Sequence, residues 1–129
     1  AILDFHPVEE FVTDGRRMLR ILLVAAARDM VMSALDSVSK AGLICLTKSL
    51  AKNAGPSGVR VNCVNPGPID TAMTADWPPD VLAGLASSTP LGRLGRAEEV
   101  ARVIVFLASD AASFVHGAHV DINGGIHMD

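Results

Sequence analysis

The sequence predicts an α/β domain built on parallel strands, and three observations carry that prediction. Residues 37–53 read as a helix with a broad apolar surface (Val38, Ala41, Ile44, Cys45, Leu46), and a short β-branched strand at residues 59–64 follows directly. Residues 97–109 read as a second helix, with Val100, Val103, Ile104 and Leu107 at helical spacing, and residues 119–123 as a last strand. Helix, strand, long loop, helix, strand is the order that a right-handed parallel crossover requires.

Each element has local support. Residues 1–11 read as a loop running into a helix, with Pro7 suited to a first helical position and Glu9 and Glu10 to the positive first turn. Thr13-Asp14-Gly15 interrupts. Residues 18–31 are apolar and Ala-rich: the length favours helix, while residues 21–24 (Ile-Leu-Leu-Val) alone suit a buried strand. Lys48 and Lys52 sit near the C-terminal end of the first clear helix, and Gly55-Pro56-Ser57-Gly58 stops it. After the strand at 59–64, Asn65-Pro66-Gly67-Pro68 turns the chain out. Residues 71–94 are long, poorly periodic and broken by Pro78, Pro79, Pro90 and Gly92, which is the signature of a lid or binding segment. Ligands of open α/β sheets lie beyond the carboxyl ends of the strands, which puts residues 65–74 at a binding edge.

The totals narrow the function. A chain of 129 residues, half of them apolar, makes one domain with a core. A net charge of −3 without a basic stripe argues against nucleic acid as a partner. The longest apolar run, residues 21–27, is far short of the ~20 residues that cross a bilayer. No signal-peptide pattern is visible, so the expected location is cytoplasmic. Cys45 and Cys63 are expected to be free, buried thiols. His6, His116, His119 and His127 lack metal-ligand spacing, so no metal site is expected, and Asp70 and Asp76 read as loop solvation. The chain has no tyrosine, so acid–base chemistry here must do without a phenol.

Several segments resemble the short-chain dehydrogenase/reductase family. Ser39-Lys40-Ala41-Gly42-Leu43 is similar to the start of its active-site helix. Residues 60–71, with Asn65-Pro66-Gly67-Pro68-Ile69-Asp70-Thr71, resemble its strand and nicotinamide loop. Phe106-Leu107-Ala108-Ser109-Asp110, Gly117 and Asp121-Ile122-Asn123-Gly124-Gly125 resemble its C-terminal end. Residues 1–11 are similar to the segment after the family's fourth strand. The resemblance implies the C-terminal half of a Rossmann-type doubly wound parallel sheet: one partial domain over 1–129, with a helical region over 1–36 and the active-site helix, nicotinamide loop, lid and last strand over 37–129. It implies NAD or NADP as cofactor, a small-molecule carbonyl or alcohol as substrate, and a homotetramer. Lys40 takes the family's catalytic lysine position, which binds the cofactor ribose. Pro66, Gly67, Pro68, Ile69 and Thr71 take the nicotinamide-binding positions.

The resemblance also marks departures. No Gly-rich dinucleotide turn precedes residue 37. Counting back from Lys40 puts Asp36 where the family has tyrosine; either Asp36 replaces it or the tyrosine is deleted between Asp36 and Ser37. An ionised carboxylate there would repel a developing oxyanion. The family's serine falls at Leu23 by count, or at Ala26 if residues 21–24 are the preceding strand. If residues 18–31 are instead the family's interface helix, which the resemblance of residues 7–31 favours, the strand bearing that serine is absent. Three functions follow: an oxidoreductase, a catalytically silent member that binds or stabilises a partner, or a truncated product.

Overall fold

The computed structural model describes residues 11–13, 16–18, 20–24, 34–72 and 74–128. The expected helix start at Pro7 lies outside them.

A short antiparallel pair opens the described chain: β1 (Phe11–Thr13) and β2 (Arg16–Met18), with Phe11 opposite Met18 and Thr13 opposite Arg16. The expectation was a helical region over 1–36, interrupted at Thr13-Asp14-Gly15. Asp14-Gly15 between two short runs is the commonest sequence signal for a two-residue hairpin, so the pairing was open to sequence reasoning.

β3 (Arg20–Val24) settles the apolar run that follows, and overturns the interface-helix reading for these residues. It pairs in parallel with β4 (Arg60–Pro66), from Arg20 opposite Arg60 to Val24 opposite Val64. The run was ambiguous because four consecutive apolar residues show no alternation, and a run that short has no period to separate strand from helix. With this strand in place, the serine position that the resemblance implies moves from Leu23 to Ala26, which lies outside the described residues.

Between these strands runs α1 (Ala34–Ala54), longer than the expected 37–53. It ends in a tight turn at Gly55–Ser57, where Gly58 adopts φ 75° and donates its N–H to the Gly55 carbonyl. Positive φ is nearly free for glycine and costly for other residues. β4 extends two residues beyond the predicted 59–64, so Asn65 and Pro66 close the strand and do not turn out of it. β7 (His119–Ile122) joins the other side of β4 in parallel, with Asn65 opposite Asp121 and Pro66 opposite Ile122. The sheet order is β3-β4-β7.

Residues 60–64 of β4 are all buried, as befits the central strand. Strand alternation sends Val61, Cys63 and Asn65 to one face and Arg60, Asn62 and Val64 to the other. α1 covers the first face through Leu43, packed on Cys63 with Ile44 and Leu50 beside them. α3 (Ala97–Ala108) lies on the second, where the buried Arg60 guanidinium donates to the carbonyls of Leu107 (2.7 Å), Ser109 (3.0 Å) and Val115 (3.2 Å). One arginine thus satisfies the last turn of α3 and the loop after it.

The segment predicted as loop contains a helix, α2 (Pro79–Ser88), with Pro79 at a first-turn position and Asp80 near its positive end. Its periodicity is weak because only Leu85 is buried. Two-residue strands β5 (Ile69–Asp70) and β6 (Gly95–Arg96) pair in parallel and bracket this excursion. Parallel strands with helices on both faces make this an α/β fold of the doubly wound type.

Candidate functional site

The direction of α1 places its N-terminal turns at the carboxyl end of β4. At the other end, His116 bridges helix and strand: its Nδ1 accepts the Val61 N–H (3.1 Å), and its Nε2 lies 2.9 Å from the Ala51 carbonyl. With Nδ1 accepting, Nε2 carries the proton and donates to Ala51. Further along, Thr47 and Leu43 lie against Cys63. Burial pushes the Cys63 thiol pKa up, and the Thr47 hydrogen bond partly offsets it. Ala51, Thr47 and Leu43 are all buried and share one helix face. Lys40, half-buried, is the next residue of that face. From Thr47 to Lys40 the helix advances about 10 Å. From Cys63 to Pro66 the strand advances about 10 Å as well. Lys40 therefore stands level with Pro66 and Gly67.

The loop after β4 is held by backbone bonds. Gly67 donates to the Ile122 carbonyl (3.0 Å), continuing the β4–β7 ladder. A Cβ on Gly67 would come 2.6 Å from Asn123 Cα, so glycine is needed there for the approach to the chain leaving β7. Pro68 accepts the Gly95 N–H at 2.9 Å. Thr74, 7% exposed, folds its hydroxyl back under the loop: it accepts the Thr71 N–H (3.0 Å) and lies 2.9 Å from the Thr71 carbonyl. Thr71 itself is exposed, and its hydroxyl has no hydrogen-bond partner among the described residues.

Asn65 shows the same incompleteness. Its Nδ2 donates to the Asp121 carboxylate at 2.7 Å, while its buried Oδ1 finds no donor among the described residues. A buried acceptor left without a donor costs about 1–3 kcal/mol. The strand alternation aims Asn65 toward the α1 face, on the side of Lys40.

Sequence reasoning bounded this edge at residues 65–74 but singled out neither Asn65 nor Thr74. Prolines and glycines mark a turn in sequence; a hydroxyl satisfying a backbone three residues earlier has a detectable signal only in the Thr-x-x-Thr spacing. By helix and strand rise, Lys40 falls level with Pro66 and Gly67, the first two residues of the predicted loop set. Asp36 lies within α1, one turn before Lys40. Cys45 is exposed, contrary to expectation, because it lies on the outer face of α1; Cys63 is buried, and both are free thiols.

Beyond β7 lies a cavity of about 410 Å³, bordered by Ile69, Pro90, Leu91, Arg93, Asp121 and Asn123 among others. Ile69 is the one predicted site residue on it. Its wall is braced by Glu99, whose carboxylate accepts from Arg93 Nη1 (2.8 Å) and Nη2 (2.7 Å) and from the Arg96 N–H (2.8 Å). Those bonds, the Arg93 pair foremost, hold the Glu99 pKa at about 2.

The parallel sheet, the helices on its two faces and a loop at the strands' carboxyl ends define a Rossmann-type α/β protein. Comparison with known proteins narrows this. The family model described as enoyl-(acyl carrier protein) reductase matches residues 4–127. Cis-4-hydroxycyclohexanecarboxylate dehydrogenase of Sinomonas cyclohexanicum is 46% identical over 126 residues, covering 97% of this chain and 51% of the relative. A 3-oxoacyl-(acyl-carrier-protein) reductase of Pseudomonas aeruginosa is 49% identical over 92 residues, covering 71% of this chain and 37% of the relative. The crystal structure of a 3-oxoacyl-(acyl-carrier protein) reductase from Brucella melitensis superposes with TM-score 0.78 at 36% identity, over 85% of this chain and 42% of that one. A second Brucella melitensis structure, a short-chain dehydrogenase/reductase, gives TM-score 0.74 at 38% identity, over 86% of this chain and 46% of that one. The chain belongs to the short-chain dehydrogenase/reductase family. It spans about half the length, or less, of the curated relatives it matches. No helix among the described residues is long and apolar enough to cross a membrane.

Proposed function

We propose that this chain provides the nicotinamide side of an NAD- or NADP-dependent oxidoreductase acting on a carbonyl or alcohol of a small molecule. What supports the reading is the helix and strand rise that sets Lys40 level with Pro66 and Gly67, where the loop to Thr71 begins. The polar groups there suit such a cofactor. Among the described residues the Asn65 Oδ1 has no donor and the Thr71 hydroxyl no partner, and a nicotinamide riboside offers hydroxyls and a carboxamide that match both. In this reading Lys40 donates to the ribose hydroxyls, and Thr71 bonds the carboxamide. Pro66, Gly67, Pro68 and Ile69 form the wall against which the ring rests. When bound, the cofactor supplies or accepts the hydride.

Proton transfer to the carbonyl oxygen is where a second reading enters. The chain contains no tyrosine, and Asp36 sits one turn before Lys40. General acid assistance is commonly worth 10²–10⁴-fold, so a member without it would bind cofactor and turn over poorly. Such a member would serve as a binding or structural subunit. The outer face of α1 supports an assembled state for either reading: Val38 is 69% exposed and Leu46 38% exposed, and Ala41 and Cys45 are exposed beside them. That stripe suits a second copy of the chain in a homo-oligomer, a tetramer by family likeness.

Trp77, the chain's one tryptophan, stands just beyond the loop and reports on the site. Titration with NADH and NADPH should quench its emission. Lys40→Ala and Thr71→Ala should weaken binding by about tenfold or more, the loss expected for one charged or neutral hydrogen bond. Failure of both nucleotides to bind, or variants that bind as well as the wild type, would overturn the reading. Turnover by the wild type with a ketone substrate separates the oxidoreductase from the silent member.

A further inference from the structure

We infer that Thr74 is a positioning residue for the cofactor's carboxamide: it holds Thr71 in place and commits that residue's backbone, leaving only its side chain for the ligand. The inference rests on the cofactor reading above and names a residue that reading does not use.

The geometry is local and closed. A threonine hydroxyl has one proton to give and two lone pairs. Thr74 Oγ1 accepts the Thr71 N–H at 3.0 Å, and its own proton goes to the Thr71 carbonyl at 2.9 Å in preference to the Ile69 carbonyl at 3.4 Å. The Thr74 N–H also donates to the Thr71 carbonyl, at 3.0 Å. Both backbone groups of Thr71 are therefore spent inside the loop. Upstream, proline at 68 has no N–H, and its carbonyl accepts Gly95. The Thr71 side chain is exposed, and its hydroxyl makes no hydrogen bond among the described residues.

Burial explains why the arrangement is rigid. Thr74 is 7% exposed, so water does not compete for its hydroxyl. If the hydroxyl is removed, the Thr71 N–H loses its acceptor. The turn from Thr71 through Trp77, which continues with Trp77 N–H to the Thr74 carbonyl at 3.1 Å, loses its first fastening. A ligand that binds through one side-chain hydroxyl then has to order that residue itself, and affinity falls by the cost of ordering.

Two measurements on the same proteins test this. Amide hydrogen exchange reads the fastening without any ligand: the Thr71 N–H should be protected in the wild type and in Thr74→Ser. It should exchange about tenfold faster or more in Thr74→Val and Thr74→Ala, as loss of one hydrogen bond implies. Titration with NADH and NADPH reads the consequence: binding should weaken by about tenfold in the Val and Ala variants and stay within about threefold of wild type in Thr74→Ser. Rescue by serine distinguishes the hydroxyl's role from packing, since serine keeps the bond and loses the methyl group. Unchanged Thr71 exchange in Thr74→Val and Thr74→Ala overturns the inference. Faster exchange with unchanged nucleotide affinity overturns it as well, because Thr74 would then hold the loop without positioning anything for the ligand. Wild-type protein that protects Thr71 yet binds neither nucleotide overturns the cofactor reading itself, and this inference with it.

Discussion

Gly67→Ala should destabilise the protein at the seam between β4 and β7. The added Cβ would stand 2.6 Å from Asn123 Cα and 2.7 Å from Asn123 Cβ, closer than carbon atoms tolerate, and one of those neighbours is backbone. Forcing a methyl group into such a space costs about 1–3 kcal/mol. The shift that relieves it would stretch the 3.0 Å bond from the Gly67 N–H to the Ile122 carbonyl, about 1 kcal/mol more. In a domain of this size 1 kcal/mol moves the melting midpoint by roughly 3–5 °C, so a fall of about 10 °C is expected. Gly84→Ala is the internal control. Gly84 lies inside α2 with nothing within 4 Å of its would-be Cβ, so alanine there should stabilise by about 0.5–1 kcal/mol. Circular-dichroism melts of both variants at one protein concentration make the comparison. If Gly67→Ala melts at or above the wild type, the close approach of loop and β7 is not part of the folded molecule, and the placement of residues 66–71 falls with it.

Two further outcomes follow from particular bonds. Arg60→Lys should lower the urea midpoint by the equivalent of about 3 kcal/mol, because an ammonium cannot fork to the carbonyls of Leu107, Ser109 and Val115 together; wild-type stability in that variant would refute the role given to the guanidinium. Glu99 has its carboxyl held at about 2 in the folded chain, against about 4.3 in an unfolded one, so its contribution is fully present above the higher value and is lost only as pH falls toward 2. Thermal melts of wild type and Glu99→Gln should therefore differ by a modest, salt-sensitive amount at pH 5–7 and converge near pH 2; a difference unchanged across that range would show that the Arg93–Glu99 pair does not act through charge.

The most legible parts of the sequence were those with local causes. Helical spacing at Val100, Val103, Ile104 and Leu107, with acids in the first turn, located α3 to within a residue. The Gly-Pro-Ser-Gly stop and the β-branched run after it located the end of α1 and the start of β4. The motifs at Lys40 and residues 65–71 pointed to the family and to the edge of the sheet where its cofactor would lie. Less legible was any run without a period. Arg20–Val24 places four apolar residues in a row after one arginine, so its sequence shows no alternation, and the same residues read equally well as helix. α2 failed for the opposite reason, since a mostly exposed ten-residue helix shows too few apolar positions to declare a period.

By itself, then, the sequence determined the α/β class, the order of the principal helices and strands, the family likeness and the absence of a phenol. These depend on residue identity and on spacings within a turn or two of chain. Only the tertiary structure decided that residues 20–24 form the strand beside β4, and that Ala41 and Cys45 face outward. It alone tied His116 to Ala51 and Val61, 65 and 55 residues away, and left Asn65 Oδ1 without a donor among the described residues. The reason is physical: hydrogen bonds and burial between distant segments depend on where the chain returns in space, and a spacing along the sequence carries no record of that distance.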